Sequence, residues 1–213
     1  MIKWSIVIYP PKFALQPHSA ELSAFTVYNL LDLSMLFVKP KNYTYEGFFT
    51  TIGKTMKIFN GSPGFGMPLS EDEIREFLTK SKLNIHVGTV DEKGEPNIHP
   101  TWYCFDTAND AFYVETSKMS KKVTNLNRNN IVYYCVDEPN PPYKGVRGKG
   151  TVRIHEDIQH NIPIAERIMI HYLGTLENPM AKSLMGAVKK GDSVILEIIP
   201  SYFSSWDYSR KKG

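Results

Sequence analysis

The chain has only two cysteines among 213 residues, Cys104 and Cys135. That is too few for a disulfide framework. Both lie inside apolar runs, where free thiols behave as small buried hydrophobes, and a reducing cytoplasm is the expected location. No stretch supplies the roughly 20 apolar residues a membrane-spanning helix needs. The best candidate, Glu21–Val38, is broken by Asn29, Asp32 and serines. The apolar start, Met1–Tyr9, stops at Pro10-Pro11 without a small-residue cleavage site, so it is not expected to be a signal peptide. Charge of one sign is also scarce. With 25 basic and 22 acidic residues the net charge is +3, and aromatics do not interleave with a basic stripe. A nucleic-acid partner is therefore not expected. His86, His155, His160 and His171 show no compact metal spacing such as HExxH, so no metal is expected. No GxGxxG follows a strand and no GxxxxGK[ST] occurs, which excludes the common dinucleotide and P-loop sites.

What remains is an ordinary globular composition, 42% hydrophobic and 22% charged. Residues 1–55 lack clear periodicity. They are expected to form an N-terminal extension, or to precede a true start at Met56. Residues 56–69 contain GSPGFG and are expected to be a linker. From Ser70 the pattern becomes regular. Ser70 and Glu73 form a capping box ahead of Ile74, Phe77 and Leu78. Leu83–Val90 alternates, Asp91–Gly94 turns, and Pro96–Phe105 is a second strand. After Asp137–Pro142, a turn-rich loop, the strand Tyr143–His155 places Val146, Gly148, Gly150, Val152 and Ile154 on one side. Its glycines predict a bend or a close approach by a ligand or backbone. Helices are expected over Ile162–Gly174 and Asn178–Lys190. A strand follows over Ser193–Ile199, then Pro200 breaks it before Tyr202–Tyr208 continues extended. Residues 209–213 are a tail. Six or seven short antiparallel strands with a few peripheral helices predict a mainly β protein, a barrel that removes exposed edges.

The stretch Ala111–Asp137 organises the rest: strand, tight corner, short polar helix, strand. The first strand ends in Thr116 and Ser117. Lys118, Ser120, Lys121 and Lys122 occupy the corner, and Asn129-Asn130 turns into Ile131–Val136. Hydroxyls and paired lysines at a helix start suit an anion, because the N–H groups and the helix dipole favour negative charge. A solvated basic turn has the same composition.

FYVETSKMSKKVTNLNRNNIVYYCVD resembles the phosphate-binding segment of the pyridoxamine 5′-phosphate oxidase-like family, the FMN-binding split β-barrels. Ser120-Lys121-Lys122 match that family's Ser-[Arg/Lys]-Lys, and Asn129-Asn130 stands where Asn-Pro is usual. The upstream GEPNIHPTWYCFD, Gly94–Asp106, resembles its preceding strand. The resemblance spans Pro68–Tyr208. It implies a six-stranded antiparallel, Greek-key-like split barrel over residues 70–208. It also implies a homodimer with two cofactors at the subunit interface, each touched by both chains.

By the same resemblance, Thr116, Ser117, Lys121 and Lys122 would hold the FMN phosphate. His99 stands where many relatives place an arginine that also reaches it. Pro100, Thr101 and Trp102 would lie beside the isoalloxazine. Arg147 would reach the other subunit's cofactor, and Trp206, in Ser-Trp-Asp, would border the ring. The ordinary alternatives are a half-buried strand residue for His99, a solvated face for Arg147, and core packing for Trp102 and Trp206. Arg-Leu-x-Pro does not follow Trp206, so oxidation of pyridoxamine phosphate itself is not expected. The implied function is a flavin-dependent oxidoreductase acting on a small molecule. The alternatives are a reductase using coenzyme F-420, whose phosphate fits the same cradle, and a flavin- or haem-binding module without turnover.

Overall fold

A computed structural model describes residues 55–210. The expected N-terminal extension, apart from Thr55, and the end of the tail, 211–213, lie outside the described residues. The elements are β1 (Ile58–Asn60), α1 (Glu71–Lys80), β2 (Ile85–Val90), β3 (Pro96–Thr101), β4 (Cys104–Asp106), β5 (Ala111–Ser117), α2 (Lys121–Arg128), β6 (Ile131–Asp137), β7 (Lys144–His155), α3 (Ile158–Leu173), α4 (Pro179–Lys190) and β8 (Ser193–Asp207).

The strands form one sheet in the order β3-β2-β6-β7-β8-β5-β4, with β1 added parallel to β8. Every other pairing is antiparallel. The sheet is therefore mainly antiparallel and curls into a half-barrel carrying four peripheral helices. Its two margins, β3 and β4, are consecutive in the chain but not hydrogen-bonded to each other, which makes the barrel split. Among the described residues it has eight strands where six or seven were expected. One extra strand arises because Pro96–Phe105 is two pieces: the chain leaves the β2 ladder after Thr101 and resumes pairing, with β5, at Cys104. The other is β1, which lies in the segment expected to be a linker and pairs Ile58 with Phe203. That segment also holds a bridge from Met67 to Asp207.

Two further expectations are corrected. Pro200 does not break β8. The ladder with β7 runs through it, with Gly150 opposite Pro200 and Lys149 opposite Tyr202, so Ser201 is taken up as a bulge. Helix α3 starts four residues earlier than Ile162. The Asp157 carboxylate accepts from the His160 N–H at 3.0 Å and caps it there. Pro163 sits within the helix.

Apolar side chains fill both sides of the sheet. Inside, Ile85, Val87, Phe112, Val114, Val132, Val146, Leu196 and Ile198 are buried together with Tyr134 and Phe203. Outside, α3 and α4 cover Cys104 with Ala165, Ile168, Met169, Met185 and Val188. Each large side chain fully buried this way contributes about 1.5–3 kcal/mol. Among the described residues, no helix covers the rest of the outer face, over β2, β6 and β7.

Candidate functional site

Thr116, the last residue but one of β5, faces inward and is buried. The corner then turns through Ser120, whose N–H bonds the Ser117 carbonyl at 3.0 Å, and α2 begins. Ser120 occupies the N-cap without a side-chain hydrogen bond to the helix, so the first-turn N–H groups lack that partner. Its hydroxyl instead accepts from Thr116 Oγ1 at 3.4 Å. One helical turn brings Lys122 back over the strand end, where its Nζ donates to Thr116 Oγ1 at 2.8 Å. This is its one hydrogen bond among the described residues. An ammonium carries three donors, so two are left for a ligand. Burial lowers the Lys122 pKa, with the neighbouring Glu115 opposing. Burial raises the Glu115 pKa in turn.

On β3, His99 pairs with Val87 and so shares the inner side of the sheet. Its Nε2 is buried with no hydrogen-bond partner among the described residues. Burial first, and the Lys122 charge second, lower its pKa. Asn97, two residues away on the same side, has an unpartnered buried Oδ1, as does Asn125 on α2. Asn125 is 1% exposed and donates to Thr89 Oγ1 at 3.0 Å. Leaving one such atom unpaired costs about 1–3 kcal/mol. All three lie along the β2–β3 ladder: His99 is opposite Val87, Asn97 is opposite Thr89, and Asn125 bonds Thr89.

The structure thus brings together Thr116, Lys122 and His99. Ser117 and Lys121 lie on the exposed side of the same corner. Ser117 Oγ accepts from the Met119 N–H at 3.3 Å, and Lys121 Nζ pairs with Glu92 at 3.0 Å on the β2–β3 turn. Trp102 sits elsewhere: it stacks on Tyr172 of α3, with centroids 4.8 Å apart and 7° between the planes. Pro100 is exposed and Thr101 half-buried at the end of β3.

Arg147 and Trp206 form a second group, on the outer face. The guanidinium lies 5.7 Å from the indole centroid and donates to the Gly61 carbonyl at 3.2 Å. The indole lies across Gly145, where a Cβ would come within 2.4 Å of it. Beside this pair is a cavity of about 650 Å³, lined by Phe59, His86, Ile98, Tyr133 and Tyr202 as well as Arg147. The register explains the grouping, since Pro100, His86, Cys135, Arg147 and Ser204 are successive cross-strand neighbours on one face. Burial, followed by Asp137, pushes the Cys135 thiol up to about 12, so it is no nucleophile near neutrality.

Asn97, Asn125 and the outer cavity were not singled out from the sequence. Asn125 between Val123 and Leu126 was an available signal, because it puts an amide on the buried side of a short amphipathic helix. Tyr133 offered none: it belongs to an unbroken apolar run, which does not say which face is left open.

Among the described residues no cluster of three or more His, Cys, Asp or Glu could hold a metal ion. No described helix is long and apolar enough to cross a membrane.

A split antiparallel barrel with Thr116 and Lys122 meeting at the start of α2 defines a class of fold rather than an activity. The pyridoxamine 5′-phosphate oxidase family model matches residues 70–207, well over half of the chain, and the protein belongs to that family. Among solved structures, a conserved hypothetical protein of Mycobacterium tuberculosis is similar, with TM-score 0.58 and 24% identity. The match covers 69% of this chain and 89% of that one. The haem storage protein HutZ of Vibrio cholerae is similar with TM-score 0.51 and 18% identity, over 66% and 95% of the two chains. Both likenesses are of fold. No curated protein matches the chain.

Proposed function

We propose that this chain binds FMN and serves as a flavin-dependent oxidoreductase for a small molecule, working as a homodimer with the cofactor at the subunit interface. The observation that carries the reading is the Lys122 ammonium, held half-buried by one hydrogen bond to Thr116 at the unblocked start of α2. A phosphate monoester fits this donor set. Lys122 supplies charge and two free donors. The α2 N–H groups add directed donors and the positive end of a dipole. His99 offers an unpartnered ring nitrogen. When bound, the isoalloxazine supplies the hydride or electron transfer.

The chain's own residues bind, orient and shield. Thr116, fixed by Ser120 behind it, sets the position of the Lys122 head group. Lys121, tied to Glu92, holds the β2–β3 turn against α2. On the outer face, Arg147 stacked on Trp206 sets a cation beside an aromatic-lined cavity, and a second copy packed there would exclude water from it.

The test is a visible absorption spectrum of the purified protein, followed by titration with FMN, riboflavin and coenzyme F-420. FMN is expected to bind near one per subunit. Lys122→Ala is expected to weaken FMN by about 10- to 100-fold, as for a lost charge-assisted hydrogen bond, while riboflavin, which lacks the phosphate, is little affected. Unchanged FMN affinity in that variant would put the phosphate elsewhere. Tight binding of coenzyme F-420 with none of FMN would replace the cofactor.

A further inference from the structure

The cradle holds a titratable group whose charge a ligand would change. Among the described residues His99 Nε2 is buried and unpartnered, on the same side of the sheet as Val87, and along that side lie the unpartnered side-chain oxygens of Asn97, opposite Thr89, and of Asn125, which bonds Thr89. The charges around it can be named element by element. From α2 comes Lys122, whose positive charge disfavours an imidazolium. From β5 comes Glu115, which acts on Lys122. The one titratable side chain on β2, His86, belongs to the opposite face, opposite Pro100. On β3 itself the inward neighbours, Asn97 and Thr101, are uncharged. Without ligand, burial and a neighbouring cation both favour the neutral ring. A phosphate dianion in contact with Lys122 reverses the second influence and gives Nε2 an anionic partner. Opposite charge at hydrogen-bond range favours the charged form.

We propose that His99 takes up a proton when the phosphate-bearing cofactor binds, so that the site captures the dianion together with one proton from solvent. The proposal rests on the phosphate-cradle reading above. In the step, a solvent proton adds to the neutral imidazole. The imidazolium N–H then donates to a phosphate oxygen, and no covalent bond of the ligand is made or broken. The sign follows. The free ring is neutral at pH 7 and the bound ring is charged, so affinity falls as pH rises through the bound-state pKa.

Isothermal titration of FMN into the full-length protein, in PIPES and in Tris at the same pH near 7, reads the proton count directly. The change in apparent enthalpy with buffer ionisation enthalpy is expected to show net uptake, up to about one proton per subunit. The dissociation constant is expected to rise with pH above neutrality, by up to about tenfold per pH unit over the range in which the free ring is neutral and the bound ring charged. Riboflavin, with no phosphate, is expected to show neither effect. His99→Gln should abolish the uptake and flatten the pH dependence, leaving only what Lys122 and the phosphate's own ionisation contribute. His99→Arg should also flatten it, holding FMN tightly at the alkaline end because its charge is permanent. FMN binding without proton uptake, or an unaltered pH slope in both variants, would overturn the inference while leaving the cofactor reading intact. Absence of FMN binding at every pH would overturn both.

Discussion

At Gly148 an added methyl group would stand 2.2 Å from the Tyr202 carbonyl oxygen and 2.5 Å from the Tyr134 hydroxyl. These two groups are bonded to each other at 2.9 Å directly over the glycine. The close approach predicted for the glycine-bearing strand is thus by backbone and a tyrosine, across the β7–β8 ladder. Gly148→Ala is expected to cost at least about 1–3 kcal/mol, the usual penalty for forcing extra volume into a packed site. A drop in the urea midpoint measures it. Among the site residues, Thr116 and Lys122 were legible because a strand ending in a hydroxyl and a helix opening on lysine lie six residues apart. That spacing fixes their meeting whatever the rest of the chain does. Trp102 was not legible in the same way. Its partner Tyr172 lies seventy residues on, and no local pattern announces that pairing. Asn97 and Asn125 share this difficulty, since they are related only through Thr89 of β2, which pairs with Asn97 and accepts from Asn125.

Among the elements, α1 shows local chemistry deciding a boundary. Ser70 Oγ accepts from the Glu73 N–H at 3.3 Å and Glu73 Oε2 accepts from the Ser70 N–H at 2.9 Å, the expected capping box. Ser70→Ala is expected to destabilise the fold by about 1 kcal/mol, read by chemical denaturation. Arg210 also pairs with Glu73, and with the cap it lowers that carboxyl from 4.5 to about 2. A depressed folded-state value means the Glu73 contribution is complete above about pH 4.5 and is lost as the pH falls toward 2. Because the pair is partly exposed, solvent and salt screen much of it. Thermal melts over that pH range should therefore show a shallower acid loss in Glu73→Gln. Boundaries set by longer-range contacts were harder to foresee. Pro200 ends a strand when only its missing N–H is considered. Within β8 a bulge on the side facing β7 absorbs it. The α3 start was hidden by Pro163, which is a natural first-turn residue but here follows an earlier cap at Asp157.

For the whole molecule, the open question is what meets the outer face of β2, β6 and β7. Ile98 is 67% exposed and Tyr133 is 60% exposed, beside the aromatic-lined cavity. Contiguous apolar surface of that kind marks an interaction site, and a second copy of the chain is the occupant proposed above. Sedimentation of the wild type is expected to give a dimer, and Ile98→Asp with Tyr133→Asp to shift it toward monomer. A dimer that survives the double substitution would place the interface elsewhere. The fold as a whole was legible because hairpin spacing and alternation repeat along the chain. The split was legible only through the family resemblance, since it depends on one continuous segment supplying both margins of the sheet, which no local pattern announces.

That segment has a bearing on assembly. The free margin formed by β3 contains Pro96 and Pro100, and residues two apart along a strand turn their N–H groups to the same side. A proline keeps its place in the ladder to β2 by directing its nitrogen outward. Of the three successive outward positions, 96, 98 and 100, only Ile98 can then donate. The margin is a poor template for a foreign strand. Along β3, growth of the sheet by a further strand, the route by which exposed edges extend into fibres, is disfavoured.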